Sequence, residues 1–252
     1  VKKKSSKPRR DHHWRAPRFS RALEVLYEDD AIVVVDKPPG LVAVPIQNSE
    51  TASAWSLLST ELKTKRQKAF VVHRIDRFTS GLLLFAKTAG DRDKLVRQFL
   101  SHTPLRQYLA VVRGHFTAPP GPKEETLVHY FRRQGMFQLP ATEGEREATR
   151  AELHYSVQRR LRAASLVRVT LITGLQNQIR VQFSAIGHPV IGDRKYQPKE
   201  SEEKRIGRVA LHATLLEFVH PRTGETFSID SKPPADFQSL LQALSPPKRP
   251  QK

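Results

Sequence analysis

One short stretch, His73-Arg74-Ile75-Asp76-Arg77-Phe78-Thr79-Ser80-Gly81, sets a single carboxylate among two arginines and two hydroxyls. Polar residues bunched at the end of an apolar run mark a turn, and loops at strand ends commonly carry function. A carboxylate so placed can bond covalently to a substrate or assist proton loss. It can also be a structural turn aspartate, pinned by the hydroxyls of Thr79 and Ser80 and the charges of Arg74 and Arg77. Local chemistry leaves both readings standing. Tyr108 and Arg180 are similarly open. Tyr108 alternates with Leu109 along an apolar run, which suits core packing, and Arg180 shares a helical stretch with Ile179 and Phe183, which suits a solvated charge.

Other chemistry is absent from the residue inventory. The chain has no cysteine, so thiolate metal sites, iron–sulfur clusters and a cysteine nucleophile drop out. Its ten histidines show no HExxH-like pairing, and there is neither a GxGxxG nor a Walker-type phosphate loop. The expectation is catalysis by side chains alone, with no metal and no cofactor.

These residues need elements to position them. The run Ala31-Ile32-Val33-Val34-Val35, between Glu28-Asp29-Asp30 and Pro38-Pro39-Gly40, predicts a buried strand between turns. Further strands are predicted over 70–73, 82–87, 107–113, 126–132, 148–157, 166–172 and 209–219, the last meeting 226–229 through Arg222-Thr223-Gly224-Glu225. Helices are predicted near 52–65, after Thr88-Ala89-Gly90-Asp91, which reads as a capping box, over 176–186 up to Gly187, and over 234–244. Strands outnumber helices and do not alternate with them regularly. That predicts an α+β fold with a largely antiparallel, mixed sheet flanked by helices.

With 252 residues and 38% hydrophobic content, the chain can bury a substantial core. We expect one domain over 21–245, between a basic disordered arm over 1–20 and a basic, proline-rich tail over 246–252. The net charge of +18 points to a polyanionic partner, with an anionic membrane surface as the weaker competitor. No apolar run is long enough to span a bilayer, and cytoplasmic location is the default expectation, although the acid-poor beginning leaves organellar targeting open.

His73-Arg74-Ile75-Asp76-Arg77-Phe78-Thr79-Ser80-Gly81-Leu82-Leu83 resembles the HRLDRxTSGLL signature of the RluA-type RNA pseudouridine synthases. Similar blocks follow in the same order: Val35-Asp36-Lys37-Pro38-Pro39-Gly40, Gln107-Tyr108-Leu109-Ala110, Thr173-Gly174, Gln178-Ile179-Arg180-Val181, Ile191-Gly192-Asp193 and Leu211-His212-Ala213. The likeness runs over about residues 21–236, and separate blocks in order say more than any one motif. It implies the pseudouridine synthase fold, an isomerase acting on uridines of rRNA or tRNA, and a monomer. It assigns catalytic roles to Asp76, Tyr108 and Arg180: the carboxylate acts as nucleophile or in elimination at the ribose, the phenol ring stacks on uracil, and the guanidinium orients Asp76. It makes His73, Arg74, Arg77, Thr79 and Ile179 substrate-binding residues, with Arg74 entering the RNA beside a flipped nucleotide; a salt bridge from Arg74 to Asp76 or Asp36 is the competing reading. Only a short arm precedes Leu23, so the separate S4 RNA-binding domain of some relatives is not expected.

The family pattern Thr-Gly-Arg/Lys-x-His-Gln-Ile/Leu-Arg-Val-His is altered here, with Leu175, Asn177 and Gln182 replacing a cation and two histidines. Weaker RNA contact at this edge and altered substrate choice are the expectation. The alternative is a non-catalytic RNA-binding or ribosome-assembly protein of the same fold.

Overall fold

The structure is a computed structural model and describes residues 23–47, 50–135, 137–196 and 205–246. The basic arm expected over 1–20 and the tail beyond Pro246 lie outside the described residues. Strands β2 (Ile32–Lys37) and β4 (Ser80–Ala86) pair antiparallel and are almost wholly buried. Alternate side chains face opposite ways along a strand, so Val33, Val35, Leu83 and Phe85 form one cluster while Ile32, Val34, Leu82 and Leu84 join a larger one behind them. Cover on both faces explains why these segments are unbroken apolar runs.

Among the described residues, eleven strands make one sheet. The main path runs β1 (Glu24–Glu28), β2, β4, β10 (Leu211–Val219), β5 (Leu105–Arg113), β9 (Ala164–Leu171), β8 (Thr149–Leu161), β6 (Glu125–Gln134) and β7 (Phe137–Ala141). Off this path, β3 (Phe70–Val71) pairs with β4 and β11 (Thr226–Asp230) with β10. Of the pairings between these eleven strands only β4–β10 is parallel, and it joins a left part of the sheet to a right part. The fold is the expected α+β arrangement with a largely antiparallel mixed sheet.

Four helices among the described residues flank it. Helix α1 (Ala54–Thr64) seats Ala54, Leu58 and Leu62, spaced four apart, on the Val33/Phe85 cluster. Its start is a complete capping box between Ser53 and Ser56. Helix α2 (Ala89–Leu100) opens differently from the sequence reading. Thr88 does accept from the Asp91 N–H, but the Asp91 carboxylate takes the Thr88 hydroxyl and Arg222 instead of reaching back to the Thr88 N–H. Helix α3 (Gln178–Ala185) begins two residues later than expected, because Asn177 sits in the left-handed region at φ 57°. Helix α4 (Ala235–Ala243) buries Phe237 and Leu240. No helix among the described residues is long and apolar enough to cross a membrane.

Candidate active site

The loop between β3 and β4 carries Asp76, and neighbouring turns lock it. His73 leaves the strand early and its Nε2 accepts the Leu84 N–H at 3.1 Å, while its ring stacks on Phe99 at 4.5 Å. Burial, with the nearby Arg106 cation, pushes His73 down to about 3, so the ring is a neutral acceptor. The turn itself closes through Thr79 N–H to Asp76 C=O at 3.1 Å. Beneath it, the buried Lys37 ammonium donates to the carbonyls of Pro38, Leu41 and Arg77 at 3.0, 2.8 and 3.1 Å. Burial and the Arg208 cation push this lysine down to about 7. Gly40 N–H also donates to the Arg77 carbonyl, at 2.8 Å. Two loops far apart in the chain are thereby tied into one platform.

On that platform Gly81 meets β10. Its φ of +107° suits glycine, and a Cβ there would stand 2.2 Å from the Ala213 carbonyl oxygen. The glycine that follows the aspartate loop is therefore the point where the two parts of the sheet touch.

Asp76, Tyr108 and Arg180 all line one cavity of about 400 Å³, together with His73, Arg74, Thr79 and Ile179. Arg180 is not a solvated helix charge: its side chain is 9% exposed. Its Nε and Nη2 donate to the two oxygens of Asp193 at 2.7 and 2.9 Å, a fork-to-carboxylate pair. Its Nη1 donates to Asn177 Oδ1 at 2.6 Å and to Asp76 Oδ2 at 3.3 Å. Burial alone would depress Arg180, but hydrogen bonds and charge from Asp193, with Asp76 behind, raise it overall. The guanidinium stays charged, and its full partner is Asp193. Asp76 receives one longer bond through Oδ2, and its Oδ1 accepts none from a described residue.

Tyr108 projects from the centre of β5 and is buried. Burial raises its phenol above the ordinary value; the Arg106 cation opposes this and Asp76 adds to it. The phenol is therefore protonated at neutral pH. Arg74 is exposed at the cavity edge and forms no ion pair with Asp76 or Asp36. The salt-bridge reading of Arg74 is therefore not what the structure adopts.

Arg77 is placed differently from the other named loop residues. It does not line the cavity; its Nε donates to the Gly40 carbonyl at 2.9 Å, so it braces the loop from outside. The three departures from the family pattern also differ from expectation. Gln182 is fully buried, donating to the carbonyls of Leu127 and Ala151 at 3.2 Å and accepting from Gln178 at 3.0 Å, so it has no edge on which to meet RNA. Asn177 is buried and holds Arg180. Leu175 lines the cavity and packs beside Phe131, Ala151 and Val181.

Sequence reasoning missed Asp193, which is 0% exposed and anchors Arg180. It also missed Asn177 as a holder of that arginine, and Arg106, which lines the cavity. The block Ile191-Gly192-Asp193 was a visible signal, since a buried charge is usually matched by a buried partner of opposite sign. Among the described residues no group of three or more acidic or histidine side chains is arranged to hold a metal ion.

Comparison with known proteins adds to this geometry. Residues 31–185 match the sequence pattern of the family described as RNA pseudouridylate synthase. The chain is 36% identical over 235 residues to the ribosomal large subunit pseudouridine synthase D of Pseudomonas aeruginosa, covering 88% of this chain and 72% of that protein. Against the protein of the same name from Nitrosomonas europaea the identity is 34%, over 88% of this chain and 65% of the relative's length. An uncharacterized RNA pseudouridine synthase of Bacillus subtilis is 35% identical, with 88% and 73% covered. Among solved structures, human RNA pseudouridylate synthase domain containing 4 superposes with a TM-score of 0.70 at 21% identity, covering 88% of this chain and 92% of that one, which shows the shared fold.

Proposed function

Because this chain belongs to the RNA pseudouridylate synthase family, we propose that it isomerises selected uridines in RNA to pseudouridine, with Asp76 as the reacting carboxylate. The carrying observation is the division of labour at Arg180. Asp193 takes two arms of the guanidinium, and the third holds Asp76 by one oxygen at 3.3 Å. Asp76 is thus oriented by a cation already matched to another acid, and its Oδ1 is free to meet a substrate.

The reaction breaks N1–C1′, turns the freed uracil, and joins C5 to C1′, with loss of the C5 proton and return of a proton to N1. Asp76 Oδ1 either bonds to C1′ or takes the C2′ proton. Tyr108 offers its ring face to the detached base. Its hydroxyl has no hydrogen-bond partner among the described residues, which leaves it available to the uracil. A stacked uridine must leave its helix to reach this cavity, at a cost of a few kcal/mol. Arg74, exposed at the edge, has the reach and charge to occupy the space left behind.

The names of the bacterial relatives favour large-subunit ribosomal RNA over tRNA as the target class. RNA tritiated at uracil C5 tests the activity: the wild-type chain should release label, and Asp76→Asn should abolish release while leaving RNA affinity within about threefold. Absence of release by the wild type from ribosomal RNA and from tRNA lacking pseudouridine would overturn the proposal.

A further inference from the structure

Three arginines among the described residues are buried: Arg106, Arg180 and Arg208. Two have full carboxylate partners. Arg180 grips Asp193, and Arg208 grips Asp236 through Nε and Nη2 at 2.7 and 2.8 Å. Arg106, 8% exposed, forms no ion pair with any described acid. Its Nη2 donates to the carbonyls of Leu171, Ile172 and Thr173 at 3.2, 2.7 and 3.4 Å. Its Nε is sealed from solvent without a partner, and its Nη1 donates to no described residue. A buried cation lacking a counter-charge is strongly disfavoured, so its presence here calls for an anion arriving from elsewhere.

Position identifies that anion. Arg106 and Tyr108 are two apart on β5, point to the same face and line the Asp76 cavity. The Gly174 backbone passes so close that a methyl group there would press on Arg106 Nη1 at 2.9 Å. Phe99 lies beneath the guanidinium, 5.8 Å from ring centroid to Cζ. The cation therefore has a set direction on the side where Tyr108 would receive the base.

We propose that Arg106 stabilises the negative charge on uracil once its glycosidic bond has broken. This rests on the isomerase reading above. In either route the electron pair of N1–C1′ departs with the base and spreads from N1 onto O2 and O4. That charge is spent when C5 bonds to C1′ and the C5 proton is lost. Between those moments a guanidinium already fixed in place lowers the barrier, and Arg106 is a catalytic residue by that contact.

The test compares Arg106→Gln and Arg106→Lys with wild type in single turnover at saturating RNA, using target RNA containing uridine or 5-fluorouridine. Fluorine makes the departing base a weaker nitrogen base and so a better leaving group. Arg106→Gln should lose about 100-fold on uridine with RNA affinity within about threefold, and less than about tenfold on 5-fluorouridine. Arg106→Lys, which keeps the charge, should recover at least about tenfold relative to Gln. Equal losses on both substrates would reduce Arg106 to a brace for the 171–173 carbonyls and overturn the proposal. A fall in affinity and in its salt dependence, with the single-turnover rate intact, would make it a phosphate contact and overturn it equally. If Arg106→Gln fails to fold, Arg106→Lys carries the same two-substrate comparison: its loss on uridine must exceed its loss on 5-fluorouridine. A wild-type chain inactive on uridine RNA overturns the isomerase reading and this inference with it; an active one with substrate-independent losses overturns the inference alone.

Discussion

At the scale of single residues, the site is organised around buried charge. Asp193 has no exposure and both its oxygens are committed to Arg180, with Lys195 and Tyr196 N–H groups adding to one of them. Asp193→Asn keeps the shape and removes the charge, leaving a buried guanidinium with only the longer bond to Asp76 for compensation. Breaking one partner of a buried pair costs about 3–5 kcal/mol, and chemical denaturation should show a loss of that order. Tritium release should fall with it, since Arg180 would then be drawn onto Asp76 and neutralise the carboxylate we propose as the reacting group; a variant with unchanged stability and rate would refute this. The location of Asp76, Tyr108 and Arg180 in one cavity was legible through motif blocks. Asn177 was not, because its value lies in one contact to Arg180 and a left-handed backbone. The bracing contact of Arg77 was not legible either, because it reaches Gly40, thirty-seven residues away.

At the scale of elements, the junction of β4 with β10 decides whether the Asp76 loop has a floor. Gly81→Ala would drive a methyl into the Ala213 carbonyl at a positive φ, and Ser80 beside it shares a hydrogen bond of 3.0 Å with His212. We expect a loss of about 3 kcal/mol or more in denaturation, with activity lost at temperatures where the variant is still folded. A near-normal rate and midpoint would show that the junction yields freely. Elements buried on both faces, such as β2 and β4, were easy to read as apolar runs. β7 was not, since it contains Pro140 and an exposed Phe137 and owes its existence to pairing with β6. The start of α3 was blurred for a similar reason: a backbone turn at Asn177, invisible in hydrophobic spacing, sets it.

At the scale of the molecule, charge and topology act together. The net charge of +18 favours a phosphate-rich partner without selecting a particular uridine. If about six phosphates are contacted, affinity for target RNA should fall about a thousandfold between 50 and 200 mM salt, read from binding isotherms. A slope near zero would remove electrostatics as the source of affinity. Topology adds a condition in time. Ser80 and His212 touch although they are 132 residues apart, and β10 enters between β4 and β5, which were made long before it. During synthesis the carboxylate loop and the tyrosine strand leave the ribosome early but have no common wall between them. A chain that stops short of Leu211 already carries Asp76, Tyr108 and Arg180 but lacks the strand that stands between β4 and β5, so we expect the ability to modify RNA to come only with that late strand.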